Sequence, residues 1–251
     1  ALEAMKIEGH YSAFCVTDPA AAVAAIRGMN IRGASVTIPF KTSVMEYLDV
    51  IDTDAAAVGA INTIVNERGL LAGYNTDWWG LTQALKKKTG IAGKTFVVIG
   101  AGGTARAAVY GIKKEGGLPV VVNRSVERGK ELASAFECPF YPLESLPGIK
   151  AEGLVNTTPV GMYPGLEKSP VKRELLANYR VVMDVIYNPF YTKLLRDAEA
   201  MGTDIVSGAD MFIHQGDLQL KLWTGIEAPL ELMRKTVYER LASSENRNKS
   251  K

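Results

Sequence analysis

The chain has 251 residues, a length that fits one large domain or two small ones. Hydrophobic residues make up 47% of it and charged residues 22%, which excludes a disordered or collagen-like chain. Its 29 lysines and arginines nearly balance its 27 aspartates and glutamates, and the net charge of +2 argues against a dedicated nucleic-acid-binding or membrane-surface protein.

Residues 1–77 predict a small unit in which strands and helices are mixed. Asp18 followed by Pro19 is typical of a helix start, with the aspartate as the N-cap. From the apolar pattern we predict the end of a helix at 1–8, helices at 20–28 and 42–48, and strands at 11–16, 32–38, 58–65 and 70–74.

Residues 78–211 predict a doubly wound parallel sheet, because continuous apolar strands alternate with helices. We place strands at 94–99, 119–122, 154–156, 181–185 and 204–206, and helices at 79–88, 104–114 and 126–136.

The last part of the chain is predicted to form two helices, 212–223 and 229–241, followed by a frayed polar tail at 243–251. The predicted fold class is α/β with two domains. Residues 78–211 form a Rossmann-type doubly wound parallel sheet, and 1–77 together with 212–251 form a smaller, discontinuous α/β domain. We expect the active site in the cleft between them, with hinge closure about the two chain crossings.

A glycine-rich turn follows the predicted strand 94–99 and opens the next helix. The pattern G-x-G-x-x-A in this strand–turn–helix context predicts a dinucleotide site, since glycines allow a tight turn and close approach of backbone N–H groups to a pyrophosphate. The small alanine lets the helix pack on the sheet. The predicted pyrophosphate-binding residues are Gly100, Ala101, Gly102, Gly103, Thr104 and Ala105.

The end of the next strand distinguishes NADP from NAD. An NAD site usually offers a carboxylate here for the ribose 2′-hydroxyl, but this strand ends in Asn123, Arg124 and Ser125, with Arg128 one turn later. Two guanidinium groups and a hydroxyl suit a 2′-phosphate, so the sequence favours NADP.

Three polar clusters at strand ends offer candidate chemistry. They are Ser-Val-Thr-Ile-Pro-Phe-Lys at 35–41, Gly-Ala-Ile-Asn-Thr at 59–63 and Gly-Tyr-Asn-Thr-Asp at 73–77. With the glycine-rich turn, the strand end at 123–128, Asn-Thr-Thr-Pro-Val-Gly-Met at 156–162 and Gly-Ala-Asp-Met-Phe-Ile-His-Gln at 208–215, they match in order and spacing the signatures of one family. The chain resembles the shikimate dehydrogenases from about residue 1 to 243.

The resemblance implies a reversible, NADPH-dependent reduction of 3-dehydroshikimate to shikimate, in a smaller domain that binds the substrate and a Rossmann domain that binds NADP. Lys41 and Asp77 match the catalytic pair of the family. The other matching positions are substrate-binding Thr37, Asn62, Asn75, Tyr187 and Gln215, and cofactor-binding Asn156, Thr157, Gly208 and Met211.

The chemistry gives Lys41 and Asp77 distinct roles. Hydride transfer to a ketone leaves negative charge on its oxygen, and a lysine ammonium can hydrogen-bond that oxygen and donate a proton. Our hypothesis is that Lys41 matters most for the chemical step and that Asp77 orients it. Which of the two is the formal acid stays open, since the pair can titrate together.

Taken singly, these residues have ordinary explanations. Lys41 alone would be a solvated lysine, Asp77 a helix N-cap, Asn62 a turn residue and Tyr187 a packed turn residue. His214 is expected at the surface or between domains rather than as a ligand. The two histidines and two cysteines show no metal-ligand or disulfide spacing, so we predict no metal and a reducing compartment, the cytoplasm or, for a plant-type fusion, the plastid.

One family signature is not found in this sequence. The family usually opens with a strand and the pattern G-x-P-x-x-H-S-x-S-P, whose serines bind the substrate carboxylate. Either the sequence starts beyond this motif in a longer protein or the homologue has lost it, and loss would expose a sheet edge. If the protein starts at Ala1, we expect very poor shikimate affinity with nearly normal NADP binding.

Other functions remain open at this point. They are a quinate/shikimate dehydrogenase that accepts NAD, the dehydrogenase half of a dehydroquinate dehydratase fusion, and a non-catalytic regulator. We expect a small-molecule substrate, no nucleic acid and no membrane, since no apolar run reaches the roughly 18 residues of a membrane helix. The sequence does not show the oligomeric state, and the resemblance implies a monomer or a homodimer.

Overall fold

Two β-sheets of different topology organise the chain in the computed structural model, which describes residues 1–248. The first sheet has the strand order β1-β3-β4-β2 and the second the order β10-β9-β8-β5-β6-β7. Every pairing in the second sheet is parallel, whereas the first is mixed. An α/β fold with a doubly wound parallel sheet and a smaller sheet is therefore confirmed.

The first sheet is built from β1 (Gly33–Ser35), β2 (Val50–Ile51), β3 (Thr63–Glu67) and β4 (Leu70–Tyr74). The last two form an antiparallel hairpin whose turn places Arg68 and Gly69 at φ of 56° and 93°. This sheet packs against helices α1 (Pro19–Gly28) and α2 (Thr53–Val58) and a 3₁₀ turn at Ser43–Tyr47.

The second sheet contains β5 (Thr95–Ile99), β6 (Leu118–Asn123), β7 (Phe140–Pro142), β8 (Gly153–Asn156), β9 (Val181–Asp184) and β10 (Asp204–Ser207). The helices around it are α3 (Asp77–Lys86), α4 (Gly103–Lys114), α5 (Val126–Ala135), α6 (Lys193–Ala200), α7 (Gly208–Thr224) and α8 (Leu230–Asn248), with 3₁₀ turns at Leu143–Gly148 and Arg173–Asn178.

Strand β5 shows why the sheet is buried on both faces. Phe96 and Val98 pack into one hydrophobic core, and Val97 and Ile99 pack into the other. The strand order reverses at β5, between β6 and β8. This reversal is where open α/β sheets bind ligands, at the carboxyl ends of the strands.

The local signals for α1 are confirmed. The Asp18 carboxylate accepts hydrogen bonds from the backbone N–H groups of Ala20 and Ala21, at 2.9 and 3.2 Å, and Pro19 is the first helical residue. The prediction of a strand at 58–65 is wrong at its start. Asp52 caps a short helix that ends at Val58, and Gly59, with φ of 69°, closes it in the left-handed region.

Near the beginning of the sequence one prediction is partly right and another is wrong. Residues 1–8 contain no full helix but one helical turn, in which the N–H of Met5 donates to the carbonyl of Ala1 at 3.0 Å and Lys6, with φ of 55°, rather than Gly9 closes the turn. Residues 11–16 form no strand, because no backbone hydrogen bonds link them to any strand among residues 1–248, and Tyr11 and Phe14 are exposed. An alternating pattern forms a strand only where another strand is paired to it. At the other end, the part of the predicted tail up to Asn248 continues α8, and residues 249–251 lie outside the described residues.

Helices α3 and α7 cross closely and bring the two sheets together. Gly80 makes this crossing possible, because a Cβ atom there would lie 2.6 Å from the carbonyl oxygen of Met211 and 2.9 Å from the backbone nitrogen of Gln215. Asp77 lies one turn before Gly80. The crossing therefore sets Asp77 and Gln215 beside each other, and the boundary we predicted at residue 211 falls inside α7.

Candidate active site

Lys41 and Asp77 form a largely buried ion pair between the two sheets. The ammonium nitrogen Nζ lies 2.5 Å from Oδ2 of Asp77, and the side chains are 14% and 6% exposed. The Lys41 stem passes Gly103, where a Cβ atom would lie 3.6 Å from Cβ and Cδ of the lysine. The cation is thus held next to the glycine-rich turn that opens α4.

Asn62 connects this pair to the surrounding polar groups. Its amide nitrogen Nδ2 lies 2.9 Å from Oδ1 of Asp77, 2.9 Å from Oγ1 of Thr76 and 3.2 Å from Oε1 of Gln215. Its Oδ1 accepts a hydrogen bond from the backbone N–H of Thr76 at 2.7 Å. Both carboxylate oxygens of Asp77 are therefore engaged, one by Lys41 and the other by Asn62.

Asn75 is predicted to bind substrate, and in the structure its side chain sets the first turn of α3. Its Oδ1 accepts hydrogen bonds from the backbone N–H groups of Asp77 and Trp78, at 3.0 and 3.4 Å, and its Nδ2 donates to the carbonyl of Ala60 at 2.8 Å. The capping role that sequence reasoning offered to Asp77 thus belongs to Asn75, which leaves the Asp77 carboxylate for Lys41.

Gln219 belongs to the same network and is missed by the sequence analysis. Its Nε2 donates to the carbonyl of Asn62 at 3.1 Å and to Oγ1 of Thr63 at 2.9 Å, while its Oε1 accepts from Oγ of Ser35 at 3.0 Å. The signal that would find it is its position four residues after Gln215, on the same face of α7.

Tyr187 and Thr37 lie outside this hydrogen-bonded cluster in the structure. The ring of Tyr187 is 44% exposed and stacks on Phe212, with centroids 4.8 Å apart and planes at 25°. Thr37 is exposed on the turn after β1. Their contact with a substrate stays a prediction.

The glycine-rich turn has the geometry that anion binding at a helix N-terminus needs. Gly100 has φ of 122°, and Gly102 is extended and precedes the first residue of α4. A Cβ atom on Gly102 would meet nothing within 4 Å, so the space in front of the helix is open. Ala105 is fully buried against the sheet. The remaining predicted residues of the turn, Ala101, Gly103 and Thr104, are partly exposed beside this space.

Two exposed arginines lie close together after β6: Arg124 directly follows the strand, and Arg128 is in the first turn of α5. Asn123 donates through Nδ2 to the carbonyl of Ser125 at 2.9 Å, and Oγ of Ser125 lies 3.4 Å from a carboxylate oxygen of Glu127. Among the side chains that the structure describes, neither guanidinium is held in an ion pair. Both therefore remain available to an anionic ligand.

The loop after β8 closes against the glycine-rich turn. Thr157 donates from Oγ1 to the carbonyl of Ile99 at 2.7 Å. A Cβ atom on Gly100 would lie 2.3 Å from Oγ1 of Thr157. Asn156 is fully buried, accepts from the backbone N–H and hydroxyl of Thr158 at 3.0 and 2.7 Å, and donates to Oδ1 of Asp184 at 3.1 Å. This loop thus forms a wall beside the turn.

Gly208 and Met211 lie in the first turn of α7. A Cβ atom on Gly208 would be 2.3 Å from the carbonyl oxygen of Val185, so only glycine fits this approach. Met211 is 6% exposed and packs into the core beneath the second sheet.

A second polar cluster ties α3, α7 and α8 together away from Lys41. Asp210 is paired with Lys87 at 2.9 Å and Arg234 at 2.6 Å, and these cations hold the pKa of its carboxyl below the usual value although burial raises it. His214 is half-buried on the next turn, and burial with the same two cations lowers its pKa. This placement agrees with an interdomain histidine.

Within residues 1–248 no group of three or more histidine, cysteine, aspartate or glutamate side chains is arranged to hold a metal ion. The described helices also include none that is long and apolar enough to cross a membrane.

Comparison with known proteins supplies the family. Residues 1–64 match the family model of the shikimate dehydrogenase substrate binding domain, 82–185 that of shikimate / quinate 5-dehydrogenase, and 208–238 that of the shikimate 5′-dehydrogenase C-terminal domain. A shikimate dehydrogenase (NADP(+)) of Pyrococcus abyssi is 40% identical over 237 residues, which cover 94% of this chain and 88% of the relative.

Solved structures agree with this match. A shikimate dehydrogenase in complex with NADP+ superposes with a TM-score of 0.90 at 36% identity, covering 96% of this chain and 88% of that one. The Thermus thermophilus shikimate 5-dehydrogenase in complex with NADP(H) and shikimate gives 0.88 at 32% identity, covering 95% and 91%. With the sequence signatures, the two-sheet fold and these matches in agreement, the chain belongs to the shikimate dehydrogenase family.

Proposed function

We propose that this chain catalyses the reversible, NADP-dependent reduction of 3-dehydroshikimate to shikimate in the biosynthesis of aromatic amino acids. The observation that carries the proposal is the Lys41–Asp77 pair, which lies at 2.5 Å beside the turn that opens α4. The curated relatives of this chain are NADP-dependent shikimate dehydrogenases, and oxidoreductase activity with NADP follows from family membership.

Lys41 has the position and charge to serve the reacting oxygen. NADPH, when bound, supplies the hydride that the ketone carbon takes up. The ammonium of Lys41 hydrogen-bonds the ketone oxygen as negative charge grows there and gives it a proton, so that ketone, hydride and proton together yield the alcohol. In the oxidation direction the hydroxyl proton returns to the lysine nitrogen.

Asp77 and its neighbours keep the lysine in place. One carboxylate oxygen holds Nζ of Lys41, while Asn62 fixes the other oxygen at 2.9 Å. Gln215 reaches the same amide of Asn62 from α7. We propose that Thr37, Asn62, Asn75, Tyr187 and Gln215 line the substrate site, the last two from the second sheet's side.

The NADP site is proposed along the carboxyl ends of β5, β6 and β8. The open N-terminus of α4 suits the pyrophosphate, and the free guanidinium groups of Arg124 and Arg128 suit the 2′-phosphate. Asn156, Thr157, Gly208 and Met211 would border the nicotinamide end.

The oligomeric state, the partners and the cellular compartment are also part of the proposal. We propose a monomer or homodimer that works without nucleic acid in a reducing compartment, the cytoplasm or, in a plant-type fusion, the plastid. Both cysteines are free, with Cys15 exposed and Cys138 partly buried, which supports a reducing environment.

A four-way assay tests the proposal directly. The enzyme is incubated with shikimate or quinate, each with NADP⁺ or NAD⁺, and formation of the reduced cofactor is followed. We expect the highest kcat/KM with shikimate and NADP⁺. A preference for quinate and NAD⁺ would instead indicate a quinate/shikimate dehydrogenase. No turnover with any of the four pairs would overturn the proposal.

A further inference from the structure

Asp184 is a fully buried carboxyl group at the end of β9 that the proposed chemistry does not use. It lies in register with Asn156 of the neighbouring strand β8. Its Oδ1 accepts from Nδ2 of Asn156 and the backbone N–H of Ile186, each at 3.1 Å, and its Oδ2 lies 2.7 Å from the hydroxyl of Thr192. Because burying a carboxyl group costs stability, its place here calls for another explanation.

The first consequence of these bonds is the orientation of Asn156. Since Asp184 holds the amide nitrogen of Asn156, the amide oxygen is turned toward Thr158. It accepts there from the backbone N–H at 3.0 Å and from Oγ1 at 2.7 Å. The same hydroxyl accepts from the backbone N–H of Val160 at 3.3 Å. The loop at 157–160 is therefore shaped from beneath by Asp184.

The second consequence concerns the neighbouring segment at 185–192. Asp184 fixes the backbone of Ile186, whose carbonyl oxygen a Cβ atom on Gly208 would approach to 2.5 Å. Thr192 also caps α6 through the backbone N–H of Leu195 at 3.4 Å. One carboxyl group thus holds both the loop beside the glycine-rich turn and the segment beneath the start of α7.

We propose that Asp184 is a positioning residue for NADP, which acts by orienting Asn156 and so holding the loop at 157–160 against the turn at Gly100. This rests on the cofactor site proposed above. Asp184 touches neither the Lys41–Asp77 pair nor Asn62, and of the proposed substrate residues only Tyr187 lies in the segment that it holds. Its influence therefore falls mainly on the cofactor.

Asp184 can orient Asn156 whether its carboxyl group is charged or neutral. Burial raises its pKa to about 7, against the hydrogen bonds from Thr192, Ile186 and Asn156. A neutral acid can donate from Oδ2 to the hydroxyl of Thr192 while Oδ1 accepts the two N–H bonds. An asparagine offers the same donor and acceptor in the same places, so Asp184→Asn is a conservative variant and Asp184→Ala removes the support.

The test is steady-state kinetics on the full chain, with shikimate and NADP⁺ each varied while the other is saturating. Asp184→Ala is expected to raise KM for NADP⁺ about tenfold, equivalent to the loss of roughly one buried hydrogen bond, and to change KM for shikimate much less. Asp184→Asn is expected to keep KM for NADP⁺ close to the wild-type value. Wild-type turnover is measured first, and its absence would overturn the proposed function rather than the role of Asp184.

Thr203→Val is the matched control, because Thr203 is a buried hydroxyl that donates to the carbonyl of Leu176 at 3.0 Å, before β10. It should lower Tm and leave both KM values unchanged. If Asp184→Ala does not fold, Thr192→Val serves instead, with an expected rise of about threefold in KM for NADP⁺. An unchanged KM for NADP⁺, or an equal rise in both KM values, would overturn the proposal.

Discussion

Lys41 and Asp77 reach each other from different elements, the turn after β1 and the first residue of α3. Neither residue is unusual alone, and what gives them chemical meaning is the 2.5 Å contact between two largely buried side chains. Asn62 completes the arrangement by occupying the second carboxylate oxygen. The proposed chemistry therefore depends on the ammonium group of Lys41 being held in place by the Asp77 carboxylate.

Replacing Lys41 with alanine tests its chemical role. Lys41→Ala should lower kcat about 10²- to 10⁴-fold, the usual size of a general acid contribution, and raise KM for shikimate much less. Lys88→Ala is the control, because Lys88 makes a surface ion pair of 3.7 Å with Asp204. An effect mainly on KM would make Lys41 a binding residue.

Arg124 after β6 and Arg128 of α5 predict a preference for NADP over NAD. Arg124→Ala and Arg128→Ala should each raise KM for NADP⁺ about tenfold and leave KM for NAD⁺ nearly unchanged, because only NADP carries the 2′-phosphate. Lys130→Ala, an exposed cation on the same helix, should change neither. Equal losses with both cofactors would contradict this assignment.

Sequence reasoning identified these side chains because they fall in recognisable patterns at strand ends. It missed Gln219, whose hydrogen bonds to Asn62 and Thr63 depend on how α7 lies across β3. It also offered Asp77 a capping role that the structure gives to Asn75. The spacing of four from Gln215 places Gln219 on the same face of α7, but its partners Asn62 and Thr63 are 157 and 156 residues away in the chain, so only the fold shows that they meet.

At the scale of elements, the crossing of α3 and α7 decides the geometry of the site. The helices touch at Gly80, one turn after Asp77, and the facing residues are Met211 and Gln215. Backbone atoms face the glycine here, so an added methyl group cannot be accommodated by a side chain turning away. The helices themselves would have to separate.

Gly80→Ala should destabilise the fold by about 1–3 kcal/mol, as overpacking does, and lower kcat, because Asp77 and Gln215 move apart. Denaturant unfolding and steady-state kinetics measure the two effects. Gly90→Ala is the control, since a Cβ atom there meets nothing within 4 Å. Equal stability and activity in the two variants would show that the crossing tolerates a methyl group.

Helices and strands can be predicted from the sequence where they are long and uniformly buried, and less well where they are short and depend on pairing with a neighbouring strand. The buried strands of the second sheet, such as β5 and β9, carry continuous apolar runs and were found nearly at their observed bounds. The two-residue strand β2 and the short helix α2 were missed, because two to six residues give too little periodicity.

At the scale of the whole molecule, α4 joins the two sheets along one of its faces. Arg106 donates from Nε to the carbonyl of Val58 at 2.7 Å, and Tyr110 donates to Oδ1 of Asp54 at 2.6 Å. Lys114 pairs with the same carboxylate oxygen. The helix whose N-terminus is proposed to hold phosphate is thus tied directly to α2, the helix that precedes Asn62 and packs on the first sheet.

The contacts of Asp54 with Tyr110 and Lys114 predict that the stability of the fold depends on pH. Burial raises the pKa of Asp54, but Lys114 and Tyr110 outweigh it and hold that pKa below the usual 3.8. A depressed pKa in the folded state adds stability above the unfolded pKa and loses it as pH falls through the folded one. Asp54→Asn should therefore lower Tm near neutral pH, and its difference from wild type should shrink below about pH 4.

Thermal unfolding of both proteins across that pH range measures the difference. Asp204→Asn, which removes an exposed ion pair with Lys88 at 3.7 Å, should change Tm little at any pH. A constant difference between Asp54→Asn and wild type, down to the lowest pH, would contradict the assignment of this stability to the Asp54 carboxylate.

The proposed reaction is a hydride transfer between shikimate and NADP⁺ at the site of Lys41 and Asp77. It is tested most directly with shikimate that carries deuterium at the carbon destined to become the ketone, by mass spectrometry of the NADPH formed. We expect one deuterium in each NADPH from the wild type and almost no NADPH in the same time from Lys41→Ala. Unlabelled NADPH, or equal amounts from both proteins, would contradict it.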